Sequence, residues 1–277
     1  MTTSVTVRVR DLPQTRIGTH RAHRRVCRPG RHRRRPHRRG VEGPDRLHRW
    51  AVLDMLAHLA GAAECAVRPV AMARLWGYAG WRVARRPVEF VDHMCASQIR
   101  SRKDLSTAEL EVDLRRWASQ APEKGAGRPR LVRGIPVPAV AGLPRGARVS
   151  NFVDVISIRD VWMHRIDIAR AIGRPRRPIT VAEPEAVRQV VRDLDIEWTS
   201  LAIDLVLTGP GGGVWPVGDG EPIAEITEDA GALMRLLSGR SDECELRFEG
   251  SATGSQLLRA ARVLCCTGMP TARCGLR

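Results

Sequence analysis

The chain has 277 residues, enough for one large domain or two ordinary ones, and its hydrophobic share of 43% can fill a real core. No run approaches the roughly 18 consecutive apolar residues of a membrane-spanning helix, and no apolar h-region follows the arginine-rich start, so neither a membrane protein nor a secretory precursor is expected. The net charge of +16 suggests a nucleic-acid binder until it is located: residues 1–40 hold 13 arginines against one acid, Asp11, which leaves only +4 for the other 237 residues.

That basic segment, "HRAHRRVCRPGRHRRRPHRRG", has almost nothing apolar to bury, so residues 1–40 are expected to be a disordered arginine-rich tail. It reads either as an arm that neutralises nucleic-acid phosphates or as an unselected extension, and no aromatic, helix-turn-helix or finger pattern accompanies the charge. The 44 arginines against two lysines, Lys103 and Lys124, point to a GC-rich genome. Seven cysteines form no CxxC pair and no zinc-finger spacing, which fits reduced thiols in the cytoplasm.

From Pro44 to about Gly173 the pattern is helical. "DRLHRWAVLDMLAHLAGAAECAV" places Leu47, Trp50, Leu53, Leu56, Ala57 and Ala60 at helical spacing. One further helix is expected across 68–103. "STAELEVDLRRWASQ" opens with Ser106 and Glu109 as a capping box and repeats Leu110, Leu114 and Trp117 on one side. Residues 121–149 are rich in Pro, Gly and Arg and read as too broken for a helix. The next helix holds "DVWMHRIDIARAIGRP", with Val161, Met163, Ile166, Ile168 and Ile172 as its apolar surface and Gly173 and Pro175 as its stop. About four helices result, the number for a bundle spanning 41–175.

Past Pro175 the character shifts to a small α+β domain over 176–277. "EPEAVRQVVRDLDIEW" is an amphipathic helix with Val187, Val190, Val191, Leu194 and Trp198 inward. "LAIDLVLTGPGGGVWPV" reads as strand, glycine turn and strand. The turn "GPGGG" lacks the GK[ST] of a phosphate-binding loop and opens no helix, so it is a hairpin. "TEDAGALMRLLSGR" is a compact helix with Thr227 as N-cap and Gly239 at its end, and "CELRFEG" is another strand.

Asp160 and His164 are spaced i, i+4, so they point the same way from one helix wall and can share a divalent cation. The candidate third ligand is His58, a histidine within an otherwise apolar helix, since bundles build internal metal sites from facing helices. The plain alternatives are a core histidine at 58 and a surface hydrogen bond between 160 and 164. Asp167 either supports an imidazole N–H from behind or pairs with Arg170 in solvent. Arg165 meets an anionic substrate or faces water. His93 and Cys95, in "VDHMC", have no third partner and read as structural.

"WAVLDMLAHLAG", "RDVWMHRIDIARAIGRP" and "LVLTGPGGGVW…DAGALMRLLSGR", in that order, resemble the mycothiol-dependent maleylpyruvate isomerase-like family of the DinB-like superfamily, over roughly residues 44–250. The resemblance implies a metal-binding DinB-like four-helix bundle followed by a small domain with a sterol-carrier-like fold. It places the metal triad on His58, Asp160 and His164, and supplies zinc as the expected ion and mycothiol, an actinobacterial thiol, as the co-substrate. The implied activity is an isomerisation or S-transfer on small electrophiles through a metal-bound thiolate. The alternative is a non-catalytic relative that binds a ligand or a thiol and contacts nucleic acid through its tail. This chain departs from the family in two places. Asp160 stands where the isomerases have a glutamate, so the helices must sit closer or the ion must shift, and the arginine-rich tail occupies the place of the helical lead-in before Trp50.

Overall fold

A computed structural model of the chain describes residues 52–83, 90–137, 146–174, 182–240 and 246–263; the arginine-rich tail, Leu47, Trp50 and the last 14 residues lie outside them. Helix α1 (Val52–Val67) is apolar almost all round and buries Val52, Met55, Ala57, His58, Leu59 and Ala60. A helix of that kind belongs at the centre of a bundle. Accordingly α2 (Pro69–Val83), α3 (Phe90–Arg100), α4 (Thr107–Ala118) and α5 (Ala121–Ala126) all pack against it, as does α8 (Ser157–Ala171) further along the chain. Leu53 and Leu56 are half-buried, toward α4.

The stretch 68–103 forms two helices, α2 and α3, where one was expected. Pro69 starts α2 at a position where a missing N–H costs nothing. Helix α4 carries the expected capping box, Ser106 Oγ accepting from the Glu109 amide and the Glu109 carboxylate accepting from the Ser106 amide, with Leu110 and Trp117 buried. The Pro/Gly/Arg-rich connection holds more helix than its composition suggests. Helix α5 and the single turn α6 (Arg130–Arg133) each end on a glycine, Gly127 and Gly134, and a backbone bridge from Pro136 to Arg148 brings the chain back.

From there one continuous rod reaches the centre of the molecule: α7 (Val149–Asn151), a π-helical turn (Phe152–Ile156) and α8. The Ser157 hydroxyl donates to the Phe152 carbonyl five residues back at 2.7 Å, which suits the wider turn. Such turns recur beside functional sites.

The second half is built on α9 (Ala182–Glu197) and a four-stranded mixed sheet of order β2-β1-β3-β4. Strand β1 (Ile203–Thr208) pairs antiparallel with β2 (Gly213–Val217) through the glycine hairpin, in which Gly209 and Gly211 take φ of +77° and +80°. Strand β3 (Ala224–Asp229) runs parallel to β1 and antiparallel to β4 (Arg247–Gly250). Val187, Val190, Val191 and Leu194 of α9 are buried as expected, with Trp198 packed against the same core. Helices α10 (Ala230–Leu237) and α11 (Ala252–Ala260) add Leu233, Met234, Leu237 and Leu258. The N-cap of α10 is Asp229, which accepts from the Ala232 amide at 3.0 Å, and not Thr227, because β3 stays paired to β1 as far as Asp229.

The fold is thus mainly α: a helical bundle followed by a small α+β unit, with α8 shared between the two. Trp162, Met163 and Ile166 belong to the core of the α+β unit, and Arg159, fully buried, pairs with Asp193 of α9 at 2.8 Å. The apolar surface of α8 therefore differs from the expected one. Val161 and Ile172 lie on the exposed stripe, 47% and 39% accessible, while Trp162 at 1% occupies the interface. No helix among the described residues is long and apolar enough to cross a membrane.

Candidate metal centre

Helices α1 and α8 cross with His58 facing Asp160 and His164. All three side chains are almost completely buried, and one ligand atom from each lies within 4.8 Å of the others. His58 Nε2 is 2.8 Å from Asp160 Oδ2, His164 Nε2 is 3.6 Å from Asp160 Oδ1, and the two imidazoles meet edge to face at 5.2 Å. Residues 102 positions apart are thereby joined. The short aspartate reaches both histidines without a glutamate's extra methylene. Two imidazole nitrogens and one carboxylate oxygen form a donor set suited to zinc and its divalent neighbours.

Behind each histidine stands a group that fixes its ring. His58 Nδ1 donates to Gln98 Oε1 of α3 at 2.7 Å, which turns Nε2 toward Asp160. This contact depends on Gly61, one turn along α1. A Cβ there would lie 2.6 Å from Gln98 Cγ, so only glycine lets α3 come this close. His164 Nδ1 lies 3.4 Å from Asp167 Oδ2, and Asp167, fully buried, also accepts from Arg235 of α10 at 2.6 Å and from Arg240 just beyond it at 2.9 Å. A solvated Asp167–Arg170 couple is therefore ruled out: Arg170 is exposed while Asp167 points into the protein. Sequence reasoning missed Gln98, Gly61, Arg235 and Arg240. No local pattern marks them, because each works through a contact between different elements, Gly61 by admitting Gln98 of α3 and the others by reaching a ligand or its support from another helix or loop.

The electrostatics separate the two histidines. Burial disfavours a charged imidazole at His58, yet the Asp160 carboxylate, helped by the Cys95 thiol, outweighs it and raises the pKa well above the usual value. Burial dominates at His164 and lowers its pKa, against the pull of Asp167 and Asp160. Burial would also raise the Asp167 pKa, but Arg240, His164 and Arg235 hold it below the ordinary carboxylate value. Without an ion these shifts favour the charged imidazole at 58 and the neutral one at 164.

A cavity of about 70 Å³ opens from His58 and Asp160 between α1, α3 and the π-helical turn. Its walls are chiefly apolar, with Met72, Trp76, Met94 and Phe152, and Cys65 and Arg128 also line it. Cys65 and Cys95 carry free thiols; burial pushes the Cys65 pKa up to about 11. His93 is buried in α3, consistent with its structural reading, whereas Cys95 lines the cavity beside His58, a placement that its neighbours in the sequence do not reveal.

No protein-family model and no curated protein sequence matches the chain. Among solved structures it is similar to the crystal structure of the mycothiol-dependent maleylpyruvate isomerase, at 15% identity and a TM-score of 0.47 over 76% of this chain and 84% of that one. It is similar also to a mutant of that isomerase, at 14% identity and a TM-score of 0.46 over the same shares.

Proposed function

We propose that this chain is a divalent-metal enzyme that uses a low-molecular-weight thiol, mycothiol, to isomerise or conjugate small electrophilic substrates. His58, Asp160 and His164 hold the ion, and the donor set favours zinc. The observation that carries the reading is the convergence of these three buried side chains, from two distant parts of the chain, with His58 and Asp160 lining a cavity. Three protein ligands leave a coordination position for substrate, as catalytic sites do and structural ones do not. The thiol comes from the family that the motifs around His58 and His164 resemble.

A bound divalent cation supplies Lewis acidity and lowers the pKa of a thiol that reaches it. The chain's own residues do the rest. Gln98 and Asp167 fix both imidazoles so that Nε2 faces the centre. Arg235 and Arg240 anchor Asp167 and so tie the geometry of α8 to the α+β unit. The apolar cavity wall excludes water from the reacting carbon.

The test is turnover by the zinc-loaded protein with mycothiol present, using maleylpyruvate for isomerisation, followed in the ultraviolet, and a Michael acceptor for conjugation, followed by mass. Turnover of either that requires both zinc and mycothiol and disappears in His164→Ala is expected. Zinc-loaded protein that converts neither substrate would overturn the proposal.

A further inference from the structure

The described residues include six buried arginines: Arg102, Arg128, Arg133, Arg159, Arg235 and Arg240. Five of them pair with a carboxylate: Arg102 with Glu64 and Asp113, Arg133 with Asp154, Arg159 with Asp193, and Arg235 and Arg240 with Asp167. A buried cation is expensive without such a partner. Arg128 is the exception. It is 7% exposed and has no carboxylate partner among the described residues.

Its Nη2 donates to the carbonyls of Cys65 and Ala66, in the last turn of α1. That contact caps the helix, where a cation is favourable. It accounts for one nitrogen only. Nε and Nη1 are buried and have no hydrogen-bond partner among the described residues. Burial lowers the pKa of the guanidinium, and the Cys65 thiol opposes it only in part.

Arg128 lines the same cavity as His58 and Asp160 and is the only arginine or lysine in its wall among the described residues. Cys65 lies seven residues along α1 from His58, so the guanidinium sits about 10 Å of helix axis from the metal centre. Met72, Trp76, Met94 and Phe152 line the same cavity.

We infer that Arg128 is an anion-binding subsite, and that the cavity takes elongated molecules with an apolar body and a carboxylate at the end remote from the metal. A carboxylate there supplies the missing counter-charge and accepts from the donors that the helix cap leaves over. The inference rests on the proposed metal centre for what happens at the inner end, but not for the anion subsite itself.

Calorimetric titration of the full chain with hexanoate and with its neutral isostere hexanamide, in zinc-loaded and metal-free protein, tests this. Hexanoate is expected to bind at least about tenfold more tightly than hexanamide in both forms. The preference should vanish in Arg128→Gln and survive in part in Arg128→Lys, with far-UV circular dichroism confirming that each variant is folded. If Arg128→Gln does not fold, the wild-type comparison and Arg128→Lys decide. No measurable hexanoate binding, equal binding of the two ligands, or a preference that persists in folded Arg128→Gln would overturn the inference. So would a preference seen only with zinc bound, since the ion would then be taking the carboxylate. A protein that binds no zinc yet shows the Arg128-dependent preference upholds the subsite and removes the metal reading.

Discussion

Lowering the pH should weaken zinc binding about tenfold per unit, through a single proton on His58. Without an ion, His58 is held between the Gln98 carbonyl at 2.7 Å and the Asp160 carboxylate at 2.8 Å, with its pKa raised well above 6.5. His164 has its pKa lowered and is already neutral in the same range. An ion that takes Nε2 of both rings must expel one proton, from His58 only. Below the raised pKa of His58 each pH unit then costs about 1.36 kcal/mol of apparent affinity. Competition against a chromophoric chelator from about pH 6.5 upward, corrected for the chelator's own titration, should show affinity rising with pH, with a slope approaching one below the raised His58 value. Calorimetry in buffers of different ionisation heat should count one proton released. The sign for folding is opposite to that for binding. Because the folded pKa is raised, the His58 contribution to metal-free stability is complete below about pH 6.5 and is lost as the pH rises through the raised value. A zinc affinity flat across this range, with no proton released, would refute the reasoning.

The supports of the site give further tests. Asp167→Asn leaves two buried guanidinium groups facing a neutral amide, so urea unfolding should show a loss of about 3–5 kcal/mol and the chelator competition a 10–100-fold loss of zinc affinity, of order; unchanged affinity would break the link from Arg235 and Arg240 to His164. Gly61→Ala improves helix propensity by about 1 kcal/mol yet drives a methyl against Gln98, so overpacking of roughly 1–3 kcal/mol should win and lower both the thermal midpoint and zinc affinity. A raised midpoint would show that α3 can move away. Trp162→Ala empties a site 1% exposed in the core that α8 shares with the α+β unit, and denaturant unfolding should register a loss of about 3–5 kcal/mol.

Much of this architecture could be read from periodicity, because most of its elements bury one face. The capping box at Ser106, the inward stripe of α9 and the glycine hairpin were legible for that reason. The i, i+4 spacing of Asp160 and His164 likewise pointed to two of the three side chains that converge, and the odd histidine in an apolar helix suggested the third. What periodicity could not resolve is a helix buried on two sides. In α8, Trp162 and Arg159 turn toward the α+β unit while Val161 faces solvent, so a count of apolar residues misplaces the inner surface. The N-cap of α10 was misassigned because strand pairing to Asp229, a tertiary fact, set where the helix starts. The supporting residues were invisible for a related reason. Gln98 and Arg240 matter through contacts 40 and 73 positions away, which no local spacing encodes.

Zinc stoichiometry bears on the central claim most directly: equilibrium dialysis of the intact chain against zinc, followed by elemental analysis, for wild type, His58→Ala and His164→Ala. One tightly held ion per wild-type chain, and almost none in either folded variant, is the predicted result. Equal zinc in all three proteins, or none in the wild type, would contradict it.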